Sequence, residues 1–408
     1  MACLFEGSLV FGVGILAILT YRFFIIPMPP PAEEIMKRRI LLLMWWIMGR
    51  VTKLRMWLGR GHEVVLLRLE PPPKQHTGDT VITENTVLGG IPVRIFRPVG
   101  TNTSDEKLPG VIYFHGGGWC WEVWEGYDSV LRILVRLRKM VIVSVRYRLA
   151  PENPFPAAPD DCFAVTRYVL ENRESLGIDQ NNVTLMGDSA GGNLAMAMMT
   201  KLLSPSVVRE NLPKIRNLVL IYPALQAVNF RTPSYQKYRG SNVPTILSSE
   251  LMMKFYVAYA LGMEIVNIDE LLENSHWTKE VEEKAIWLEN DNLPAQIREG
   301  ANNSSKPRLE NPTLAKKLNK YLLDPLFSPL LADDSVLKRF PETYILSAEM
   351  DPLRDDSFLL VNRLDRLGIN VRHRHWKGMD HAFVGIPDLY SNSQKALVEI
   401  VEYLKEHS

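Results

Sequence analysis

A mostly parallel α/β sheet with helices on both faces is the fold class this sequence predicts, and three observations predict it. Strand-like segments near 93–96, 111–114, 141–145, 183–186, 218–222, 343–346 and 371–375 alternate with helical stretches, the rhythm of strands joined by crossover helices. The run 183–186 passes directly into Gly187-Asp188-Ser189-Ala190-Gly191, and an Ala/Met/Leu stretch of good helix propensity follows. The run 111–114 ends in His115 and three consecutive glycines, Gly116, Gly117 and Gly118.

From the N-terminus, residues 9–26 form one apolar block broken by Thr20 and Arg22, near the lower length limit for a membrane helix. The start carries Glu6 and no basic residue, and no small-x-small site precedes Pro27, which favours an uncleaved signal anchor over a cleaved signal peptide. Gly12, Gly14 and Ala17 match a dinucleotide-binding fingerprint, but no strand precedes them and no βαβ unit follows, so that reading is rejected. The run 40–48 is too short to span a bilayer and, with Arg and Lys around it, suits a cap or an interfacial helix. His62-Glu63 opens like a zinc-protease helix but lacks the second histidine; no metal and no cofactor are expected. A Pro-rich connector at 70–78 leads to the core. Between 223 and 330 the rhythm breaks into a charged, Asn-rich insertion with an amphipathic helix at 249–259, whose Met and aromatic side chains are read as packing. Its stretch 287–311, rich in Asn, Pro and charge, reads as a mobile loop. The expected organisation is an anchor over 1–26, an N-terminal cap and connector over 27–84, and the main domain over 85–408 with a cap insertion at about 224–330.

The chemistry sits at strand ends. A serine in G-x-S-x-G on a tight strand-to-helix turn projects its hydroxyl from the sheet edge, and small residues at 187 and 191 let strand and helix approach. Three glycines in a row are entropically costly, and they let backbone N–H groups approach a ligand. Gly117, Gly118 and Ala190 are the candidate oxyanion donors, with His115 and Gly116 supporting the loop. In this architecture the acid and then the base follow the serine, each after a late strand. Asp351, at the exit of 343–346, is the candidate acid, with Glu349 a weaker rival. Asp355 and Asp356 read as first-turn carboxylates of the next helix. His381 is the one histidine in a loop after the last strand, hence the candidate base. His373 and His375 alternate at strand period and share a face. His62, His76, His276 and His407 lack a motif and read as surface residues.

With HGGGW at 115–119, YRLAPENPFPAAPDDC at 147–162, GDSAGGN at 187–193, SPLLADD at 328–334, AEMDPLRDD at 348–356 and DHAF at 380–383, the chain resembles the arylacetamide deacetylase family, in the hormone-sensitive-lipase-like branch of the α/β-hydrolases. The resemblance runs from about residue 85 to near the C-terminus. It implies a Ser189–His381–Asp351 triad, an acyl-enzyme, and a small apolar ester or amide as substrate. Two alternatives stay open: a lipid (neutral glyceride or cholesteryl) ester hydrolase, and a ligand-binding member without catalysis, which retention of all three triad residues disfavours. Two departures stand out. Relatives usually carry glycine where this chain has Ala382, and small residues where it has Trp121 and Trp124, so bulky rings near the oxyanion loop are expected to narrow the acyl pocket.

Composition bounds the rest. A net charge of +1 gives no general attraction to nucleic acid. Three cysteines, Cys3, Cys120 and Cys162, are not a disulfide framework, and a Cys120–Cys162 pair is left open. Basic residues near the end of the apolar block and after it, Arg22, Lys37, Arg38 and Arg39, favour a cytosolic main domain. Sequons at Asn102, Asn302 and Asn303, in polar loops, and at Asn182 beside a strand favour the opposite side. The resemblance also implies a lumenal domain. The expectation is therefore a single-pass type II protein held in the lipid bilayer by its N-terminal helix, in the endoplasmic reticulum. Oligomeric state is not legible.

Overall fold

The computed structural model describes residues 18–21, 23–24, 34–58, 63–66, 80–101, 107–122, 124–208, 212–240, 245–298 and 309–407. Among them lie the strands β1 (Val81–Leu88), β2 (Ile91–Pro98), β3 (Leu108–Phe114), β4 (Val141–Val145), β5 (Ile178–Asp188), β6 (Asn217–Ile221), β7 (Glu342–Met350) and β8 (Val371–Asp380). They form one sheet in the order β1-β2-β4-β3-β5-β6-β7-β8. β2 runs antiparallel to β1 and β4, and every other neighbouring pair is parallel.

The principal helices are α1 (Ile35–Trp57), α2 (Asp128–Leu137), α3 (Ala157–Asn172), α4 (Ala190–Leu202), α5 (Ser249–Leu261), α6 (Pro312–Leu322), α7 (Arg354–Arg366) and α8 (Ser391–Glu406). They cover both faces of the sheet. Val111 and Tyr113 of β3 join a core with Val130 and Leu134 of α2 and Leu397 and Val401 of α8. Ile112 and Phe114 join the opposite core with Val165 of α3 and Leu194 of α4. Successive strand residues point to opposite faces, so a strand buried on both reads as a continuous apolar run. Burying each such side chain contributes about 1.5–3 kcal/mol.

Between β6 and β7 the insertion is helical. Ser248 caps α5, its hydroxyl accepting from the Leu251 amide at 3.2 Å. Asn311 caps α6, accepting from the Leu314 amide at 3.0 Å, with Pro312 at the first helical position. Met252, Met253, Phe255, Tyr256 and Tyr259 of α5 are buried, in keeping with their reading as packing.

Four expectations need correction. The sheet begins at Val81, ahead of the first expected strand at 93–96; β1 is an edge strand carrying Thr83, Glu84, Asn85 and Thr86, so it lacks an apolar run. The run 40–48 is the middle of the 23-residue helix α1. The last strand continues to Asp380, so His381 follows it directly. The stretch read as a mobile loop from 287 carries short helical turns at Ile286–Leu288, Asn290–Asn292 and Ala295–Arg298. Asparagine side chains there bond the backbone, Asn290 to the Arg231 carbonyl at 3.2 Å and Asn292 to that of Ile286 at 2.9 Å; residues 299–308 lie outside the described residues.

Cys120 and Cys162 are buried free thiols, so they do not pair. Of the apolar block 9–26 only residues 18–21 and 23–24 are described, all helical. No helix among the described residues is long and apolar enough to cross a membrane. Cys3, His62, His76 and the sequons at Asn102, Asn302 and Asn303 also lie outside the described residues.

Candidate active site

Ser189 stands between β5 and α4 with φ 55° and ψ −120°, a conformation that costs a non-glycine residue about 1–3 kcal/mol. Backbone bonds on both sides hold it there: its N–H donates to the Ile221 carbonyl at 2.8 Å, and its carbonyl accepts from Asn193 at 3.1 Å and Ala224 at 3.2 Å. A Cβ at Gly191 would overlap the Phe114 carbonyl, so any side chain there drives α4 away from the sheet. The strand-turn-helix read from the sequence is therefore a close-packed elbow.

The three candidates from three strand ends meet. The Ser189 hydroxyl donates to His381 Nε2 at 2.8 Å, and His381 Nδ1–H donates to Asp351 Oδ2 at 2.7 Å. Asp351 is fully buried, and its other oxygen accepts from the Leu353 amide at 2.8 Å. Ser189 and His381 are only 7% and 5% exposed. Tyr222 packs its ring 4.8 Å from the His381 ring, centroid to centroid.

The glycine loop adopts backbone angles that favour glycine: φ is 105° at Gly117 and 61° at Gly118. Cys120 and Trp121 amides donate to the Gly117 carbonyl at 3.1 and 2.9 Å, which turns the loop back on itself. Among the described residues, no acceptor takes the N–H groups of Gly117, Gly118 or Ala190. His115, buried, donates from Nδ1 to the Gly116 carbonyl at 2.7 Å, and its own carbonyl accepts from the Tyr147 hydroxyl at 2.7 Å. It braces the loop, and burial lowers its pKa, keeping the ring neutral.

Sequence reasoning missed Asp188, the residue before the serine. Its carboxylate accepts from the Gly116 amide at 2.9 Å, from the Tyr113 hydroxyl at 2.7 Å and from the Tyr127 hydroxyl. Burial raises its pKa to about 6, against the opposing pull of the two tyrosine hydroxyls. The signal was in the G-D-S triplet, but its partners are 61 to 75 residues away.

Other candidates fall elsewhere. Glu349 accepts from the Gly378 amide at 2.8 Å and braces β8. His373 and His375 do share a face, both against the Ser347 hydroxyl at 2.8 and 2.9 Å. His276 is fully buried, bonding the Val228 carbonyl at 2.9 Å, which corrects its reading as a surface residue. His407 is half-buried against the Tyr403 carbonyl at 2.7 Å, also not a free surface group. Asp355 and Asp356 are in the first turn of α7 but buried, accepting from the amides of Ser234 and Leu225 at 2.7 and 2.9 Å. They tie the start of the insertion to α7.

The tryptophans divide. Trp119 stacks on Tyr259 at 4.4 Å and is fully buried. Trp124 lies between the Arg94 and Arg146 guanidinium groups, its indole N–H on the Ser144 hydroxyl at 3.2 Å. Of these tryptophans, Trp121 alone stays half-buried beside the glycine loop, its ring on Phe255 at 4.8 Å.

A family model described as alpha/beta hydrolase fold matches residues 111–273 and 295–385. Arylacetamide deacetylase of Bos taurus is 35% identical over 74% of this chain and 74% of its own length. Neutral cholesterol ester hydrolase 1 of Rattus norvegicus is 31% identical over 92% of each. Among solved structures, an esterase from Pyrobaculum calidifontis superposes with a TM-score of 0.61 at 26% identity, covering 92% of this chain and 99% of that one.

Proposed function

We infer, for a chain that belongs to the arylacetamide deacetylase family of α/β-hydrolases and is a carboxylic ester hydrolase, that Ser189, His381 and Asp351 carry its reaction. The hydrogen-bonded row Ser189–His381–Asp351 is the observation behind this reading. Ser189 Oγ attacks the acyl carbon as its proton passes to His381 Nε2. Asp351 holds the Nδ1–H tautomer and stabilises the imidazolium. The amides of Gly117, Gly118 and Ala190 take the negative charge on the former carbonyl oxygen; one such donor is worth about 3 kcal/mol in the transition state. The imidazolium protonates the leaving alcohol or amine, which departs and leaves an acyl-serine. Water, deprotonated by His381, then cleaves that ester and releases the carboxylic acid. Ser189→Ala should lower kcat by at least ~10⁴-fold with folding intact; hydrolysis surviving that change sinks the mechanism.

Small aryl or alkyl esters and aryl amides are the proposed substrates, with short acyl groups preferred because Trp121 crowds the loop. The match to a cholesterol ester hydrolase over nearly the whole chain supports a second reading, lipid esters. A p-nitrophenyl ester series separates them: acetate or butyrate turned over fastest supports the first, palmitate the second.

We also propose that residues 9–26 anchor the protein in the endoplasmic reticulum membrane, with the catalytic domain lumenal. An outward row on α1 agrees with a membrane-proximal position: Ile40, Met44, Ile47, Val51, Leu54 and Trp57 are exposed. Asn182 is buried in β5, so glycans are assigned to Asn102, Asn302 or Asn303. Endoglycosidase treatment should increase gel mobility; degradation of the whole domain by protease in sealed microsomes refutes the lumenal placement.

A further inference from the structure

We propose that α1 is part of the catalytic apparatus and that Arg38 is a positioning residue for His381, an inference that rests on the triad reading above. Only Arg38, Leu42 and Thr52 of this helix are buried. A long helix that turns an arginine inward, with the side chain 1% exposed, places it there for a partner. The partner is Asp380, 2% exposed and 342 residues away in sequence. Nε donates to Oδ2 at 2.5 Å and Nη2 to Oδ1 at 3.0 Å, a planar two-point grip.

Asp380 is the last residue of β8 and immediately precedes His381. Across the sheet it pairs with Met350, which immediately precedes Asp351. Thr245, from the insertion, lies against the Asp380 carboxylate and donates its hydroxyl to the Met350 carbonyl at 3.0 Å. Arg38 therefore grips the point where the strands carrying acid and base end side by side. Further along the same helix, Trp45 meets Trp121 edge-on at 5.6 Å, and the Trp121 amide bonds the oxyanion loop. One helix thus touches both halves of the site without entering it.

Misplacement of a reacting group by about 1 Å costs roughly 10²-fold in rate, so the grip should be read in turnover. The full-length enzyme is compared with Arg38→Met, Arg38→Lys and the Arg38→Met/Asp380→Leu pair, which replaces a buried ion pair with apolar groups that fold. Lys37→Met, which removes only an exposed bridge to Glu34, is the control. Measured are kcat and KM for p-nitrophenyl acetate, the rate of Ser189 phosphonylation by a fluorophosphonate, and melting temperature. Arg38→Met and the double variant should lose about tenfold or more in kcat and in phosphonylation rate, with KM within about twofold. Arg38→Lys should recover part of the loss, and Lys37→Met should match the wild type in all three measurements. Wild-type phosphonylation by a folded Arg38→Met, or by the double variant where the single one does not fold, overturns the proposal. Failure of the triad reading is distinct: Ser189→Ala would then still be labelled or active.

Discussion

Ala382 stands in the left-handed region, with φ 66° and ψ 8°, directly after the histidine that bridges serine and aspartate. A methyl group there crowds the backbone by about 1 kcal/mol relative to glycine. Ala382→Gly should therefore raise stability by about 1 kcal/mol, read as an upward shift in melting temperature, and leave kcat within about twofold; a lower melting temperature refutes the strain. At the same scale, the meeting of Ser189, Asp351 and His381 was legible because each follows the end of a strand-like segment. Asp188 was not. Nothing local tells a carboxylate that its partners are a distant amide and two tyrosines, and the same is true of buried His276.

The oxyanion loop and α5 are the elements whose contact matters most. A Cβ at Gly118 would overlap the Phe255 ring, and φ there is +61°. Gly118→Ala should displace the loop from α5 and lower kcat by about 10²-fold or more while KM changes little; full activity in that variant would place the oxyanion donors elsewhere. The elements themselves were largely legible. β3 to β7 are buried on both faces and announce themselves as apolar runs, whereas β1 carries four consecutive polar residues on an exposed edge and gives no run. The length of α1 was hidden for a similar reason: its basic residues interrupt the apolar pattern, and the use of one of them, Arg38, is fixed only by Asp380 at the far end of the chain.

For the whole molecule, acid sensitivity follows from histidines held neutral. Burial lowers the pKa values of His276, His373 and His375 to about 4, against about 6.5 in an unfolded chain. Between those values the unfolded state binds the extra protons, so this stability is fully present above about pH 6.5 and is lost as pH falls toward 4. Asp356, raised to about 8 by burial, acts in the opposite sense: its native form keeps a proton that the unfolded chain releases, so its share is lost as pH rises from about 4 to 8. Thermal melts from pH 4 to 8 should show a maximum inside that range. In His276→Gln, which keeps a donor for the Val228 carbonyl, the acid limb should be shallower by about 3 kcal/mol over the interval; an unchanged limb refutes the assignment. The insertion between β6 and β7 was legible, since the strand rhythm of the sequence stops there.

That insertion has a consequence for how such enzymes diversify. It enters between β6 and β7, after the strand that leads into Ser189 and before the two that lead into Asp351 and His381. Asp351 and His381 leave adjacent strands, so their separation is inherited from interstrand spacing, about 4.8 Å. Lengthening a connection costs little, since closure entropy grows only with the logarithm of loop length. The inserted segment between β6 and β7 can therefore change in length and sequence while the sheet keeps the strand ends that hold Ser189, Asp351 and His381 in place.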